Sequence, residues 1–237
     1  MKNKMGAIVQ ARMSSQRFPK KVLFEVAGKP MLQYLLERLN HCNYLDPIVV
    51  ATSVDDSDSP IAKHCELHGV ACHRGSLTNV AGRFKEVLDI YEFDSFVRIN
   101  GDSPLLDQRL IEKGVNVFIA GDFDIVTNAQ ERTYPKGQTV EILRADTFRY
   151  GYELMQAEDE FEHVTPYFYK HLDDFKIHNF ALSQNLNGIQ LSVDTEQDMD
   201  TFAAIVSRMK RVHWEYTLDD ILGIYDSLLL IKPAHFR

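Results

Sequence analysis

The sequence predicts an α/β protein built on a mainly parallel sheet with helices on both faces. Over the first hundred residues, short apolar runs alternate with segments whose apolar residues repeat at helical spacing. Several of these runs, such as PIVVAT at residues 47–52, are continuous and do not alternate with polar residues. Continuous apolar runs are typical of strands buried on both faces. Strands that alternate with helices indicate a parallel sheet covered by those helices.

The first half of the chain contains four predicted strands and three predicted helices. The strands are predicted over residues 7–11, 47–52, 70–73 and 95–99. The helices are predicted over residues 31–39, 60–68 and 79–91. Pro30 stands at the start of the first helix and Gly69 at the end of the second, positions that suit a first helical turn and a helix C-terminus.

The second half is less regular. Strands are predicted over residues 124–128, 140–143, 176–182 and 189–193, with a loop over 132–137. Helices are predicted over residues 145–158, 161–171, 197–210 and 218–230. Because no Pro/Gly/Ser-rich linker or repeat interrupts the chain, we expect one domain over residues 1–237, with residues 128–185 forming an insertion or subdomain.

Composition argues against several classes of protein. The 237 residues are 45% hydrophobic and 25% charged, which is ordinary for a globular protein. The net charge of −8 argues against a general nucleic-acid binder, and no apolar stretch reaches the roughly 20 residues of a membrane span. The three cysteines have no C-x-x-C spacing, which fits a reducing compartment. We therefore expect a cytoplasmic protein that binds neither nucleic acid nor a membrane.

A dense cluster of cations follows the first predicted strand. Arg12, Arg17, Lys20 and Lys21 lie within the polar run of residues 10–21. Guanidinium groups bind phosphate oxygens in pairs and lysine supplies a point charge, while open α/β sheets bind ligands beyond the carboxyl ends of their strands. A solvated basic turn is the alternative. The position at a strand end favours a polyphosphate site.

This run, Q-A-R-M-x-S-x-R-x-P-x-K-V-L, resembles the signature of the cytidylyltransferases that activate sugar acids. These are the CMP-ketodeoxyoctonate and acylneuraminate synthetases and, most closely, the spore coat polysaccharide protein F family. The chain departs from the family loop at Lys20, where the family usually has glycine. The resemblance implies a Rossmann-like fold of the nucleotide-diphospho-sugar transferase, or GT-A-like, type. It also implies Mg²⁺-dependent transfer of CMP from CTP to a sugar acid, with release of pyrophosphate, for surface polysaccharide or glycan synthesis.

Two aspartates follow predicted strands. Asp102 stands in RINGDSPL and Asp194 in LSVDTEQD. A rigidly held carboxylate is a good Mg²⁺ ligand, because Mg²⁺ takes one or two carboxylates together with substrate phosphates and water. The alternatives are a turn carboxylate capping the next helix for Asp102, and a helix N-cap for Asp194 or Thr195. The motifs R-x-x-G-D-x-P-L and V-D-T-x-x-D resemble the family's metal motifs, which implies that both aspartates bind Mg²⁺ and act with Arg12 and Lys21 as the catalytic set.

The resemblance also implies substrate contacts. For the nucleotide these are Gln10, Ala11, Arg12, Arg17, Lys21, Thr52, Ser53, Arg74, Gly101 and Asp102. For the acceptor they are Arg132, Tyr134, Glu141 and His163. Arg74 is alternatively a surface arginine beside a turn, Arg83 faces either the nucleotide or solvent, and His163 is alternatively a structural histidine. We interpret the acidic run at residues 55–58 as a solvated turn.

The identity of the acceptor does not follow from the resemblance, because Lys136 and Thr139 replace two acids of the family pattern. The alternatives to a CMP-sugar synthetase are another sugar nucleotidyltransferase, a GT-A-like glycosyltransferase or a non-catalytic nucleotide-binding protein. A glycosyltransferase would usually carry a D-x-D pair at the metal position, whereas this chain has Gly-Asp-Ser-Pro there. We expect a homodimer, with the segment from Trp214 onward either packed on the domain or part of an oligomer contact.

Overall fold

The computed structural model describes residues 4–231 of the chain. Its strands are β1 (Met5–Gln10), β2 (Glu25–Val26), β3 (Lys29–Pro30), β4 (Ile48–Ser53), β5 (Ala71–Gly75), β6 (Ser95–Asn100), β7 (Ile125–Thr127), β8 (Glu141–Arg144) and β9 (Ile177–Asn179). Its α-helices are α1 (Met31–Leu39), α2 (Ser59–Leu67), α3 (Val80–Tyr91), α4 (Gln108–Ala120), α5 (Ala145–Leu154), α6 (Glu158–His163), α7 (Pro166–Lys170), α8 (Glu196–Arg208) and α9 (Leu218–Ile231).

Seven strands form one sheet in the order β5-β4-β1-β6-β8-β7-β9, and β2 and β3 form a separate small hairpin. Strands β5, β4, β1 and β6 are mutually parallel, and only β8 runs against its neighbours in the main sheet. The predicted mainly parallel sheet is therefore confirmed.

Apolar side chains cover both faces of this sheet. One face packs against α1, α2, α4, α8 and α9 through residues such as Leu35, Ile111 and Phe202. The other face packs against α3, α5 and α7 through residues such as Phe84 and Phe148. Burial on both faces explains why the strands are continuously apolar.

In the first half, the predicted elements match the structure to within about two residues at each end. Helix α3 begins where Asn79 caps it, its side-chain oxygen accepting a 2.7 Å hydrogen bond from the backbone N–H of Gly82. We predicted no element between residues 105 and 124, and this omission was wrong. Helix α4 occupies that stretch, with Asp107 as N-cap and with Ile111 and Val115 on its buried face.

The second half differs more from prediction. The strand predicted at 189–193 is wrong: this segment makes a single bridge, between Lys136 and Gln190. The predicted helix 145–158 ends at Leu154, because the chain turns to an extended conformation that buries Met155. The predicted helix 161–171 is broken, since Pro166 inside it would clash with the carbonyl of Glu162. Instead α6 ends at His163 and Pro166 opens α7.

The C-terminal segment packs on the domain through contacts between α8 and α9. Within residues 4–231, the helices are all too short or too polar to span a bilayer.

Candidate active site

The crevice at the carboxyl ends of β1 and β6 is where this sheet can hold a ligand. From β1 the chain proceeds outward to β4 and β5 on one side, while β6 lies on the other side. Such a switch point opens a crevice beyond the strand ends. A cavity of about 570 Å³ opens there. The predicted site residues in its wall are Gln10, Ala11, Arg12, Arg17, Lys21, Gly101, Asp102, His163 and Asp194.

The turn after β6 lies directly against the end of β1. The backbone N–H of Gly101 donates a 2.8 Å hydrogen bond to the carbonyl of Gln10. A Cβ at position 101 would stand 2.8 Å from the same oxygen, so only glycine fits without a backbone shift. This close approach fixes Asp102 at the floor of the cavity.

Lys21 joins the two predicted metal aspartates. Its Nζ lies 3.0 Å from Oδ2 of Asp102 and 3.4 Å from Oδ1 of Asp194, and it donates a 2.6 Å hydrogen bond to the carbonyl of Val193. Arg17 reaches the same Asp194 oxygen at 2.9 Å. The Lys21 side chain is 8% exposed, whereas those of Asp102 and Asp194 are 30% and 27% exposed. We call Lys21, Asp102 and Asp194 the Lys21 cluster.

Neither aspartate caps a helix with its side chain. Thr195 and Asp198 form a reciprocal capping box at the start of α8, and the Asp198 carboxylate accepts the backbone N–H of Asp194. The cap of α4 is Asp107. Both carboxylates of the Lys21 cluster are therefore free to face the cavity.

This pair of carboxylates fits a magnesium ion bound together with substrate. Within residues 4–231, no group of three or more His, Cys, Asp or Glu side chains could hold a metal. Mg²⁺ does not need such a cage, because it commonly binds one or two carboxylates and completes its shell with substrate phosphates and water. The ammonium of Lys21 between the two carboxylates shows that a cation is accommodated at this point.

The opposite wall of the cavity comes from α6. Arg12 forms a 3.2 Å ion pair with Glu162, in which both side chains are about half exposed. His163 follows, and the chain then reverses at buried Val164, where φ is 74° and ψ is −48°. Thr165 N–H donates to the His163 carbonyl at 2.9 Å, which closes a γ-turn of the rare, strained type. A β-branched residue in this conformation holds Glu162 and His163 at the cavity wall.

Asp58 supports the loop after β1, which carries Arg12 and Arg17. The interpretation of residues 55–58 as a solvated turn was wrong for Asp58. Asp58 is fully buried. Its carboxylate accepts hydrogen bonds from the backbone N–H of Met13 at 2.6 Å and from the hydroxyl of Ser53 at 2.5 Å. These bonds hold the loop after β1 against the end of β4. Nothing in the local sequence distinguishes Asp58 from its exposed neighbours.

Arg83 is also buried, which excludes the solvated alternative. It lies in the first turns of α3, lines the cavity and is only 2% exposed. Burial lowers its pKa to about 10, despite the attraction of Asp58. Within the described residues its nearest acceptor is the carbonyl of Ser76, 2.6 Å from Nη1, and no carboxylate lies in salt-bridge range.

Three predicted nucleotide contacts lie outside the cavity wall. Thr52 and Ser53 are completely buried, and Ser53 is bonded to Asp58. Arg74 donates to the backbone carbonyls of Ser53 and Asp55 at 2.8 and 2.9 Å. Ser53 and Arg74 thus hold the loop that follows β4 in place.

Three predicted acceptor contacts also lie elsewhere. Tyr134 is buried against Phe180, and Arg132 is exposed and donates to the carbonyl of Ala129. Glu141 is buried; burial raises its pKa, but its ion pair with Arg98 and hydrogen bonds including that from Tyr169 outweigh this effect and hold the pKa below its ordinary value. Of the four predicted acceptor residues, the structure brings His163 to the cavity.

The chain matches a protein-family model and is similar in sequence to known proteins. Residues 6–212 match the family model described as cytidylyltransferase. An uncharacterized protein of Methanocaldococcus jannaschii is 33% identical over 227 residues, covering 95% of this chain and 90% of that protein. The spore coat polysaccharide biosynthesis protein SpsF of Bacillus subtilis is 27% identical over 210 residues, covering 85% of each chain.

Solved structures agree with this match. A cytidylyltransferase from Leptospira borgpetersenii superposes with a TM-score of 0.92 at 25% identity, covering 99% of this chain and 98% of that one. The CMP:2-keto-3-deoxy-manno-octonic acid synthetase complexed with CTP superposes with a TM-score of 0.69 at 18% identity, covering 86% of this chain and 99% of the synthetase, and so shares the fold.

Proposed function

Because this chain belongs to the cytidylyltransferase family, we propose that it transfers the cytidylyl group of CTP to a sugar acid, with Mg²⁺ held by Asp102 and Asp194. The products are a CMP-sugar and pyrophosphate. The observation that carries the proposal is the Lys21 cluster. It places two partly exposed carboxylates and a buried ammonium at the carboxyl ends of β1 and β6, in the wall of a cavity of about 570 Å³.

The cations of the first loop serve the triphosphate. Arg12 and Arg17 are exposed at the cavity rim, and their carboxylate partners Glu162 and Asp194 are themselves partly exposed. Phosphate oxygens can replace these partners without leaving a buried charge unpaired. Charge-assisted bonds of this kind contribute about 1.5–3 kcal/mol each. Lys21, fixed by the carbonyl of Val193, then neutralises charge on the leaving pyrophosphate.

In the reaction, an acceptor hydroxyl attacks the α-phosphorus as the bond to the bridging oxygen of the β-phosphate breaks. The carboxylates of Asp102 and Asp194 hold the reacting groups at a fixed point, since the backbone of each is anchored by hydrogen bonds. When bound, Mg²⁺ supplies Lewis-acid stabilisation of charge on the phosphoryl oxygens. The hydroxyl proton passes to solvent or to a nearby carboxylate.

The acceptor class rests on the relatives. SpsF is named for polysaccharide synthesis, and the synthetase complexed with CTP is named for a keto sugar acid. We therefore propose a sugar acid as acceptor and surface polysaccharide or glycan synthesis as the setting. His163, on the α6 wall, is the proposed acceptor contact. A homodimer and a cytoplasmic location stay predictions from the sequence.

The test is pyrophosphate release from each of four NTPs with a panel of sugar acids, sugar phosphates and polyols. We expect CTP with a sugar acid to be the productive pair. Asp102→Asn and Asp194→Asn should each lower the rate roughly 100-fold or more, because a charge at the reacting centre is lost. Both variants should melt within a few degrees of the parent.

Asp200→Asn is the matched control. Asp200 is an exposed acid on α8, six residues after Asp194, and its neutralisation should leave the rate unchanged. If Asp194→Asn is as active as Asp200→Asn, Asp194 is not a ligand. If UTP or ATP replaces CTP as the productive nucleotide, the cytidylyl assignment is wrong.

A further inference from the structure

A buried ionic network joins three strands of the sheet to helix α7. Glu141, at the start of β8, stands opposite Arg98 of β6 and Thr127 of β7 in the register of the sheet. Its side chain is 2% exposed and forms an ion pair with Arg98. From α7, the hydroxyl of Tyr169 donates a 2.7 Å hydrogen bond to Oε1 of Glu141 and lies 3.2 Å from the hydroxyl of Thr127. We call these four residues the Glu141 network.

Stability alone does not account for a charged network at this depth. Taking two charges out of water costs so much that a buried ion pair is often no better for stability than apolar side chains of similar size. The Nε of Arg98 is also buried without a partner among the described residues, which adds to the cost. What buried polar bonds do provide is a fixed geometry, because they are directional. We therefore looked for the part of the molecule whose position the network fixes.

The network fixes α7, the helix that follows the γ-turn at Val164. The other buried contacts of α7 are those of Tyr167 and Phe168 with an apolar cluster, and such contacts are not directional. The bond from Tyr169 to Glu141 is the directional one. Burial and the neighbouring carboxylate raise the pKa of Tyr169, so its hydroxyl stays protonated and remains a donor.

The turn at Val164 needs support from both sides. A β-branched residue with φ of 74° and ψ of −48° persists only where the surrounding structure holds it there. On the α6 side, the carboxylate of Glu160 accepts two backbone N–H groups at the N-terminus of α6, at 3.0 and 3.2 Å. Glu160 also forms a 3.1 Å ion pair with Lys170 of α7. On the other side, Tyr169 ties α7 to the sheet, so the turn is held between α6 and the Glu141 network.

We propose that Glu141 and Tyr169 are positioning residues for the acceptor, which hold α7 on the sheet and thereby fix His163 at the cavity wall. The proposal rests on the proposed function, in which His163 contacts the acceptor. His163 is exposed, and its carbonyl closes the turn by accepting the N–H of Thr165. A shift of α7 would therefore move His163, whereas the Lys21 cluster is anchored at the ends of β1 and β6. Glu141 thus serves the acceptor without touching it.

The proposal predicts a change confined to the acceptor. Tyr169→Phe keeps the ring and removes the hydroxyl. It should raise KM for the acceptor about fivefold, the equivalent of one lost hydrogen bond, and leave kcat and KM for CTP unchanged. We choose this variant over Glu141→Gln, which would leave the charge of Arg98 buried without a carboxylate. Pyrophosphate release at varied acceptor and CTP concentrations measures the three constants.

Tyr34→Phe is the matched control. Tyr34 is also buried, and its hydroxyl donates a 2.8 Å hydrogen bond to the carbonyl of Val26, away from α6 and α7. Tyr34→Phe should lower the melting temperature about as much as Tyr169→Phe and leave KM for the acceptor unchanged. An equal rise in acceptor KM in both variants would show a general loss of stability and would overturn the positioning role.

A double-mutant cycle tests whether Tyr169 acts through His163. His163→Ala should itself raise KM for the acceptor about tenfold, because a substrate contact is lost. Once His163 is absent its position no longer matters, so adding Tyr169→Phe should raise KM no further. Independent effects would multiply to about fiftyfold in the double variant. Either that result or an unchanged KM in His163→Ala would overturn the route through His163.

The outcomes distinguish this proposal from the proposed function. If the parent converts CTP and a sugar acid but Tyr169→Phe leaves KM for the acceptor unchanged, the positioning role is wrong and the cytidylyltransferase proposal stands. If Tyr169→Phe raises KM for CTP as much as KM for the acceptor, the positioning role is likewise wrong. If the parent releases no pyrophosphate from CTP with any acceptor, both proposals are overturned. A rise in acceptor KM alone, which disappears in the His163→Ala background, supports the positioning role.

Discussion

Two buried cations connect the residues that follow β6 to later parts of the chain. They differ in how far their partners are exposed to solvent. Lys21 links Asp102 to Val193 and Asp194. Arg38, on α1, links Leu106 and Asp107 to the segment before α9. Its Nε donates to the carbonyl of Leu106 at 2.7 Å and its Nη2 to that of Tyr216 at 2.8 Å, while Nη1 donates to that of His213. We call Arg38 and these partners the Arg38 cluster.

The clusters differ in what surrounds their acceptors. The Arg38 cluster is closed: Arg38 is 0% exposed, and the Asp107 side chain, 3.8 Å away, is 6% exposed. The Lys21 cluster is open, because its two carboxylates are about 30% exposed and face the cavity. Water or a ligand can reach the Lys21 cluster without unfolding the protein. The comparison indicates that a closed cation cluster stabilises the fold, whereas an open one can exchange partners with a substrate.

The largest expected effect comes from removing each cation in turn. Arg38→Met should lower the free energy of unfolding by about 3–5 kcal/mol, because three buried carbonyls lose their donor and the buried Asp107 carboxylate keeps Arg109 as its one cationic partner among the described residues. Lys21→Met should lower it by only about 1 kcal/mol, since water can solvate the exposed carboxylates. The same Lys21→Met change should abolish most of the pyrophosphate release.

Denaturant unfolding and pyrophosphate release, measured on both variants, check this contrast. If the Arg38→Met variant folds at low temperature, its affinity for nucleotide should equal that of the parent. Equal losses of stability in the two variants would contradict the distinction between a closed and an open cluster.

The same distinction explains what the sequence could predict. Asp102 could be predicted because it follows β6, a correctly predicted strand, and the carboxyl ends of parallel strands meet at one edge of a sheet. Asp194 follows a predicted strand that does not form, so its place in the Lys21 cluster was indicated by the motif resemblance alone. The roles of Asp58 and Arg83 depend on burial. Asp58 has acidic neighbours that are exposed, and nothing near it in sequence marks it as buried. Arg83 lies three residues after Val80 and four before Val87, so helical spacing places it on the apolar face of α3 and could have indicated its burial.

For the fold, prediction succeeded where local pattern and burial agree. Strands β1 and β4 are apolar runs bounded by turns, and they are buried on both faces. Residues 189–193 have the alternating apolar pattern of a strand, but their backbone bonds go to loop residues Lys136 and Asp102 instead of a neighbouring strand. Helix α4 was omitted although Asp107 and the spacing of Ile111 and Val115 mark it. The sequence therefore contains the features that predict α4, whereas it does not show which residues would bond to the backbone of residues 189–193.

An effect of intermediate size on stability is expected when the pH is lowered. It should arise at His213, whose carbonyl belongs to the Arg38 cluster. Burial lowers the pKa of His213 to about 4, although Glu37 lies 2.7 Å from its Nε2. Its Nδ1 is buried without a partner in the described chain, so protonation there would create a buried N–H that has no acceptor. The folded state therefore holds the neutral ring, with a pKa below the unfolded value of 6.5. This contribution to stability is complete above pH 6.5 and is lost as the pH falls from 6.5 toward 4.

Between these limits His213 should contribute a slope of about 1.4 kcal/mol per pH unit to the free energy of unfolding. Unfolding curves of the parent and of His213→Gln, taken from pH 8 to 4, measure it. The difference between the two should be constant above pH 7 and should shrink below pH 6.5. A difference that stays constant down to pH 4 would show that His213 does not control this acid sensitivity.

The smallest expected effect concerns backbone strain beside the open cluster. Lys20 precedes Lys21 with φ at 65°, a left-handed conformation that costs a residue with a side chain about 1–2 kcal/mol. Lys20→Gly should relieve this strain, but glycine's greater freedom in the unfolded chain offsets part of the gain, leaving about 0.5 kcal/mol. Ala27, with φ at 52° in the β2–β3 hairpin, is the matched control away from the cavity, and Ala27→Gly should stabilise by a similar amount. If the charge of Lys20 serves the triphosphate, Lys20→Gly should also weaken CTP binding in calorimetry, whereas Ala27→Gly should not. Similar gains in stability with unchanged CTP affinity in both variants would confine the open cluster to Lys21 and its two aspartates.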